Sequence, residues 1–64
     1  MSLFNTLPRA LRPMFTHNAD GPGMVGVYYD AATCKAAYEA AQRAGLEVHS
    51  LDLVKYGNSS FELL

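Results

Sequence analysis

The chain has little cysteine and no long apolar run, and each shortage narrows the classes of protein it can belong to. Cys34 is the only cysteine among 64 residues, so the chain cannot form an internal disulfide. No apolar stretch approaches the ~20 residues that a membrane-spanning helix needs. The first residues also lack the basic start and apolar run of a secretory signal peptide. Together these absences predict a soluble protein of the reducing cytoplasm, with no membrane partner.

A large net charge is missing as well. Five Lys and Arg against six Asp and Glu give −1 at pH 7, which argues against a strongly basic nucleic-acid binder and against an acidic mimic of DNA. The first 19 residues nevertheless carry Arg9 and Arg12 and no acid. We therefore interpret the N-terminal segment as a basic arm on a mildly acidic body.

The length and composition predict one small folded domain. Half of the residues are hydrophobic, which favours a folded chain over a disordered one. We expect residues 1–64 to form a single domain. A chain of this size buries only about 60% of its unfolded surface, so its stability is expected to be about a few kcal/mol.

The best-defined element is a helix that begins after Asp30 and ends before Gly45. Asp30 suits the N-cap position because its carboxylate can accept from the free amides of the first turn. Seven alanines, which are strong helix formers, lie between these two residues, and Gly45 supplies the left-handed residue that ends many helices. One face of the helix is predicted to pack on a sheet through mostly small residues. They are Cys34, Ala37, Tyr38, Ala41 and Ala44.

Short apolar runs on both sides of the helix predict strands at 24–29 and 46–54. In the second run the apolar residues change parity after Val48, which predicts either a bulge near His49–Ser50 or a strand that is covered on both sides. Turn residues then lead to a last strand at 61–64, which is expected to form a hairpin with the strand before it.

The residues before this body, which spans 24–64, read as a lead-in segment at 1–15 and a loop at 16–23. Pro8 and Pro13 prevent one continuous helix. A short helix with Pro8 in its first turn, ending before Pro13, is therefore expected. The glycines and prolines of the loop are strong turn formers.

These elements combine into an α/β (α+β) fold. We predict a small three-stranded mixed β-sheet with one main α-helix, in the order β-α-β-β, after a short proline-broken helical segment. One helix covers one face of such a sheet, so the other face is expected to be apolar and to need the N-terminal segment, a second copy of the chain or a partner protein. That face would carry one of the two sides of the first strand together with Leu51 and Leu53. The side is either Val25, Val27 and Tyr29 or the alternate residues Met24, Gly26 and Tyr28.

Two short motifs match functional patterns by letter. Residues 21–26, Gly-Pro-Gly-Met-Val-Gly, match G-x-G-x-x-G, but a strand is predicted to follow where a dinucleotide site needs a helix, and Pro22 has no amide to offer a phosphate. Asn58-Ser59-Ser60 matches a glycosylation sequon, but no secretory signal precedes it. We interpret both motifs as turns.

The sequence contains three groups of reactive side chains that are candidates for a catalytic or metal site. Cys34 lies in the first turns of the helix, where the dipole can lower a thiol pKa, and His17 or His49 could act as its base. Its place on the core face favours an ordinary buried thiol instead. His17, Cys34, His49 and an Asp lack the spacing of a metal site. The sequence therefore predicts a protein that is not an enzyme, without catalytic residues, metal or cofactor. A carboxylate cluster is the other acid–base candidate, formed by Asp30, Asp52 and Glu62.

Seven aromatic residues are many for so small a core. Tyr28 and Tyr29 are neighbours on a strand and point to opposite faces, so at most one joins the core of a monomer. Tyrosine and arginine are enriched at the hot spots of protein interfaces. The predicted partner-binding residues are Arg9, Arg12, Phe15, Tyr29 and Tyr56. The same arginines and tyrosines could instead hold nucleic acid, but two arginines make few phosphate contacts, so this alternative is weaker.

The run VYYDAATCKAAYEAAQRAGLEVHSLDL, residues 27–53, resembles the first strand–helix–strand portion of barstar-type ribonuclease inhibitors. The likeness rests on the alanine-rich helix, its glycine cap and the apolar strand that follows. It implies a nuclease inhibitor. The acidic inhibitory helix that comes next in that family is absent, because this chain turns through YGNSS, so no functional residue carries over.

The sequence as a whole favours a small non-enzymatic protein that binds a larger protein or protein complex as its inhibitor or regulator. A chain this short, starting at its own Met, is expected to act by occupying a surface. Inhibitors from phages and mobile elements, such as anti-CRISPR proteins, are often built this way. Four alternatives stay open: a homodimer, weak nucleic-acid binding, a barstar-like nuclease inhibitor, and a small oligomeric enzyme that uses Cys34.

Overall fold

The computed structural model describes residues 6–17 and 24–63, and for 15–17 the backbone only. The predicted α+β class is confirmed, with one main helix and a short helical turn that ends before Pro13. In chain order the elements are a 3-10 turn at Arg9–Leu11, strand β1 at Phe15–His17, strand β2 at Met24–Tyr28, helix α1 at Ala31–Arg43, strand β3 at Val48–Asp52 and strand β4 at Ser59–Leu63.

The sheet has four strands in the spatial order β1-β2-β4-β3, and every neighbouring pair is antiparallel. The prediction of a three-stranded mixed sheet is therefore wrong in strand number and in pairing. β2 and β3 are parallel to each other, as expected, but β4 lies between them. β4 takes this central place because Phe61 and Leu63 are almost completely buried there, and a central strand is the best shielded from water.

Strand β1 extends into 16–23, the segment predicted to be a loop. Its register sets Phe15 opposite Val27, and the N–H of Met14 donates to the carbonyl of Val27 at 2.9 Å. Three residues that follow Pro13 are too few to show the period-two alternation of a strand. The element forms because β2 offers it a free edge, which is a property of the fold and not of the local sequence.

The N-terminal end of α1 is capped as predicted. The backbone of Asp30 is extended, and its side chain accepts from the N–H of Thr33 at 2.8 Å. Since an N-cap carboxylate satisfies an amide that the helix itself cannot, Asp30→Ala is expected to lower the free energy of unfolding by about 1 kcal/mol. Asp30→Asn is expected to keep most of the cap. Urea denaturation measures both, and equal losses in the two variants would show that the hydrogen bond is not what stabilises the helix.

The C-terminal end of α1 is closed by a Schellman motif, in agreement with the glycine cap expected from the sequence. Gly45 has φ +86°. Its N–H donates to the carbonyl of Gln42, and the N–H of Leu46 donates to the carbonyl of Ala41, both at 3.0 Å. At 13 residues, α1 is too short to cross a bilayer, and no other helix in the described part of the chain has the length and apolarity to do so.

The core lies between α1 and one face of the sheet. Tyr38 of α1 is half-buried and sets its ring edge-on against Phe61, with 5.7 Å between ring centres and 82° between planes. Ala44, which was predicted on the core face, is exposed because it is the C-cap of the helix. The buried apolar residues are Leu7, Met24, Tyr28, Cys34, Ala37, Ala41, Phe61 and Leu63.

The described N-terminal residues lie on the helix side of the sheet. Leu7 belongs to the core, and Leu11 packs against it. The Nε of Arg12 donates to the carbonyl of Leu7 at 3.3 Å, which holds the turn in a closed shape. This part of the lead-in segment therefore extends the helix layer and does not cover the opposite face.

Of the two alternatives predicted for this strand, the bulge near His49–Ser50 is the one present in β3. Between the cross-strand pairs His49–Glu62 and Asp52–Ser60, β3 contains one residue more than β4. Ser50 has φ +56°, so the backbone turns through the left-handed region there. An extra residue reverses the face on which every later residue of the strand lies.

Because of the bulge, the second face of the sheet is less apolar than predicted. Asp52 is the cross-strand partner of Ser60 and lies on this face. Its neighbours Leu51 and Leu53, which were predicted on this face, therefore alternate to the other side. Val25 and Val27 do lie on this face, where both are half-buried. The prediction of a wide apolar patch is therefore wrong for Leu51 and Leu53, while Val25 and Val27 lie on this face as predicted.

Candidate protein-binding surface

Four chain segments meet at one end of the sheet, where β2 ends and α1 begins. Met14, just before β1, bonds to Val27, and Ser59, the first residue of β4, lies opposite Tyr28. β3 ends at Asp52 on the same level. We call this end of the sheet the rim. It consists of Arg12–Pro13, Tyr29–Asp30, Asp52 and the loop of residues 53–58.

Two large aromatic side chains of the rim face water. Tyr29 is 78% exposed and Tyr56 is 85% exposed. The Nζ of Lys55 lies 5.6 Å from the ring centre of Tyr56, a contact worth about 0.5–1 kcal/mol at an exposed site. The aromatic rings of Tyr28, Tyr38 and Phe61 instead pack together in the core. The two rim tyrosines therefore lie outside the aromatic cluster of the core and expose most of their area to solvent.

The loop that carries Tyr56 is fastened by a buried hydroxyl. Ser59 is completely buried, and its Oγ accepts from the N–H of Val54 at 3.0 Å. Gly57 has φ +105°, a conformation that glycine adopts without strain. The sequence correctly predicts a turn here, but Ser59 and Ser60 of the sequon, which were also predicted in a turn, belong to β4.

Removing this hydroxyl should loosen the loop. Ser59→Ala is expected to lower the free energy of unfolding by about 1 kcal/mol, because the Val54 N–H loses its acceptor. Ser60→Ala, at the neighbouring half-buried position, serves as the control and should change stability by less than about 0.5 kcal/mol. Chemical denaturation gives both values, and a harmless Ser59→Ala would mean that the loop is held by something else.

The predicted partner-binding residues are distributed unevenly around the rim. Arg12, Tyr29 and Tyr56 all belong to it and are exposed. Arg9 is exposed on the 3-10 turn, which packs on α1. Phe15 is the first residue of β1, the strand next to β2, and its side chain lies outside the described residues.

Lys55 is the rim residue that the sequence analysis missed. Lys55 precedes Tyr56 at the start of a predicted turn, and this position could have indicated that the two side chains lie together at the surface. The rim also carries both signs of charge. Arg12 and Lys55 are its cations, while Asp30 and Asp52 are its anions. The Asp30 carboxylate is already engaged, since it accepts from the backbone and the hydroxyl of Thr33 at 2.8 to 2.9 Å. The charge of the rim is therefore close to balanced, which suits a protein surface better than a polyanion.

Cys34 is buried and unsuited to nucleophilic chemistry. Its burial, followed by the nearby charges of Asp30 and Asp52, raises the pKa of the thiol to about 11. A reactive cysteine needs a lowered pKa and access to solvent. The interpretation of Cys34 as an ordinary core residue is therefore confirmed, and both its burial and its raised pKa argue against a nucleophile.

The other candidate groups do not assemble. Asp30 and Asp52 lie at the rim, but Glu62 pairs with Val25 and His49 further along the sheet, so the three carboxylates do not converge. Within the described part of the chain, no three His, Cys, Asp or Glu side chains gather closely enough to hold a metal ion.

The glycine motif is only partly visible in the structure. Its positions 21–23 lie outside the described residues, and its last glycine, Gly26, lies inside β2. A strand follows the glycines, as predicted, where a dinucleotide site would need a helix. The described part of the motif is therefore strand and does not open a helix.

Comparisons of the chain with models of protein families, with curated proteins and with solved structures find no match. The resemblance of residues 27–53 to barstar-type inhibitors thus stays an expectation from the sequence.

Proposed function

We propose that this protein acts by binding another protein through the rim, as an inhibitor or regulator of a larger protein or complex. The observation that carries the proposal is the pair of tyrosines, Tyr29 and Tyr56, that are 78% and 85% exposed at the same end of the sheet. Tyrosine has only two side-chain torsions to immobilise, so it gains much contact area at little entropic cost. Residues of this kind dominate binding energies at protein interfaces.

Both tyrosines of the rim are attached to hydrogen-bonded parts of the sheet. Tyr29 directly follows the central pairing of β2 with β4, and Tyr56 is on the loop that Ser59 fastens. A binding surface that is already ordered loses less entropy when a partner docks. The rim is therefore a better candidate for specific binding than the half-buried second face of the sheet.

The size of the chain bears on how a partner would be engaged. A standard interface buries about 800 Å² per partner, and the whole chain exposes 4016 Å². Such an interface would take about a fifth of the surface, which is more than two tyrosines provide. We infer that Arg9 and Leu53 form the border of the same surface, around Arg12, Tyr29 and Tyr56.

The experiment is affinity capture followed by a measured Kd. The tagged chain is used to isolate a partner from the organism that encodes it, and the purified partner is titrated with variants. Tyr29→Ala and Tyr56→Ala should each weaken binding by about 30-fold, which corresponds to about 2 kcal/mol at a hot spot. Glu39→Ala and Gln42→Ala, at exposed positions of α1, are the controls and should leave the Kd unchanged. Equal affinities for all four variants would contradict the proposal.

The identity of the partner separates the finer alternatives. A ribonuclease would support the barstar-like interpretation, and a component of a phage-defence complex would support the anti-defence interpretation. Nucleic-acid binding is tested separately by fluorescence anisotropy with single- and double-stranded oligonucleotides at low salt. Binding that falls steeply with salt and is lost in Arg9→Ala and Arg12→Ala would overturn the proposal in favour of a nucleic-acid partner.

A further inference from the structure

Three polar side chains form a continuous line across the bulge of β3. The Oγ of Ser50 lies 3.0 Å from Nδ1 of His49. The Nε2 of the same ring lies 3.3 Å from Oε1 of Glu62. Glu62 is in reach because it is the cross-strand neighbour of His49. The order is hydroxyl, imidazole, carboxylate.

The carboxylate decides which nitrogen of the neutral ring carries the hydrogen. An ionised carboxylate attracts a hydrogen and repels a lone pair, so we infer that the neutral ring carries its hydrogen on Nε2, the nitrogen 3.3 Å from Oε1 of Glu62. Nδ1 is then left with its lone pair facing the hydroxyl of Ser50. This is the arrangement in which an imidazole withdraws the proton of a serine and a third group orients the ring.

The contact between Ser50 and His49 depends on the bulge. In a regular strand, neighbouring side chains point to opposite faces, so a serine could not reach the ring of the preceding histidine. The left-handed backbone of Ser50, φ +56°, makes the approach possible, and Ser50 is the one non-glycine residue with positive φ in the described part of the chain. Backbone strain of this kind concentrates at functional sites, and bulges re-aim side chains there.

We propose that Ser50 is an activated hydroxyl that accepts an acyl group from small activated esters, with His49 as general base and Glu62 as its positioning residue. The reaction is independent of protein binding at the rim. The Oγ of Ser50 forms a bond to the acyl carbon while its proton passes to Nδ1 of His49. The bond from the acyl carbon to the leaving oxygen then breaks, and His49 returns the proton to that oxygen. The products are an ester of Ser50 and the free alcohol, and water hydrolyses the serine ester to restore the hydroxyl.

The surroundings of Ser50 define the class of acyl donor. Ser50 is exposed, and the side chains of His49 and Glu62 are 39% and 33% exposed. No cavity encloses these groups within the described residues, so a donor gains little binding energy and has to bring a good leaving group. Small activated esters such as p-nitrophenyl acetate meet this requirement.

The test is acetylation by p-nitrophenyl acetate, followed by release of p-nitrophenol and by peptide mass mapping. Acetyl transfer should be concentrated on Ser50 in the wild type. Because general base catalysis contributes roughly 100-fold or more, His49→Gln should slow the labelling of Ser50 at least ten-fold. Ser60→Ala is the control, since Ser60 is a half-buried serine of the same sheet, and it should not change the rate. Each variant is first shown to be folded by circular dichroism.

The role of Glu62 has its own readout. In the wild type, nitrogen NMR of His49 should show the hydrogen on Nε2, and Glu62→Gln should shift the ring toward a mixture of both tautomers while labelling of Ser50 slows. Two results would overturn the proposal. One is labelling of Ser50 that is no faster than labelling of Ser60, and the other is a Ser50→Ala variant that releases p-nitrophenol at the wild-type rate, which would make the imidazole itself the nucleophile.

Discussion

Replacing Phe61 with alanine is expected to leave the chain unfolded at 25 °C. Phe61 is fully buried in the central strand, and its ring stacks on Tyr28 with 5.7 Å between ring centres and 13° between planes. Tyr38 meets the same ring edge-on at 5.7 Å. Truncating such a residue costs about 3–5 kcal/mol. A domain of this size has about that much stability in total.

Far-UV circular dichroism and urea denaturation measure this outcome. Tyr56→Ala is the matched control, because it also removes an aromatic ring but from a position that is 85% exposed. It should change the free energy of unfolding by less than about 0.5 kcal/mol. A folded Phe61→Ala variant with a cooperative transition near that of the wild type would show that β4 is not the centre of the core.

Tyr28→Phe is expected to stabilise the protein. Tyr28 is buried, and its hydroxyl has no hydrogen-bond partner among the described residues. A buried polar group without a partner costs about 1–3 kcal/mol, and phenylalanine keeps the ring while it removes that group. We therefore expect the free energy of unfolding to rise by up to about 2 kcal/mol. Tyr38→Phe, at a half-buried tyrosine of α1, should leave it nearly unchanged, and a destabilised Tyr28→Phe would reveal a partner for the hydroxyl.

Two buried ionisable side chains, Tyr28 and Cys34, predict how the stability of the fold depends on pH. Burial raises the pKa of Tyr28, with a smaller contribution from Cys34, and burial raises the pKa of Cys34 from 9.0 to about 11. The unfolded chain therefore releases these protons at lower pH than the folded one. Stability should be complete below pH 9 and should fall as the pH rises toward 11, by about 2–3 kcal/mol for Cys34.

Denaturation at pH 8, 9, 10 and 11 measures this loss. Cys34→Ala should flatten the profile between pH 9 and 11, and Tyr28→Phe should flatten its most alkaline part. A wild-type profile without a slope above pH 9 would contradict the assignment of both groups to the core.

The helix was predictable from the sequence because its signals are local. Asp30 and Gly45 specify its ends through bonds to residues no more than four positions away, and the structure shows both caps. The β3 bulge could be anticipated for the same reason, because the alternation of apolar residues breaks between Val48 and Leu51, which are close together in the chain. The order of the strands was not predictable, because the insertion of β4 between β2 and β3 depends on how deeply Phe61 can be buried.

The candidate sites follow the same division. The exposure of Tyr29 follows from its alternation with Tyr28, and that of Tyr56 from its turn. Their grouping with Arg12 was predicted from residue type alone. The reason that all three lie at one rim was not predictable, because it depends on β1 and on the place of β4 in the sheet. The contact of Ser50 with His49 could not be predicted either. Neighbouring side chains of a regular strand point to opposite faces, and only the left-handed backbone of Ser50 brings these two together.

Site-specific photocrosslinking in the cells that encode the chain tests the central claim most directly. A benzoylphenylalanine is placed at position 29, at position 56 or, as the control, at position 42 on the exposed side of α1. If the rim is the binding surface, positions 29 and 56 should crosslink to the same protein and position 42 should not. Adducts from position 42 alone, or no adduct from either tyrosine position, would contradict the proposal that this end of the sheet binds a partner.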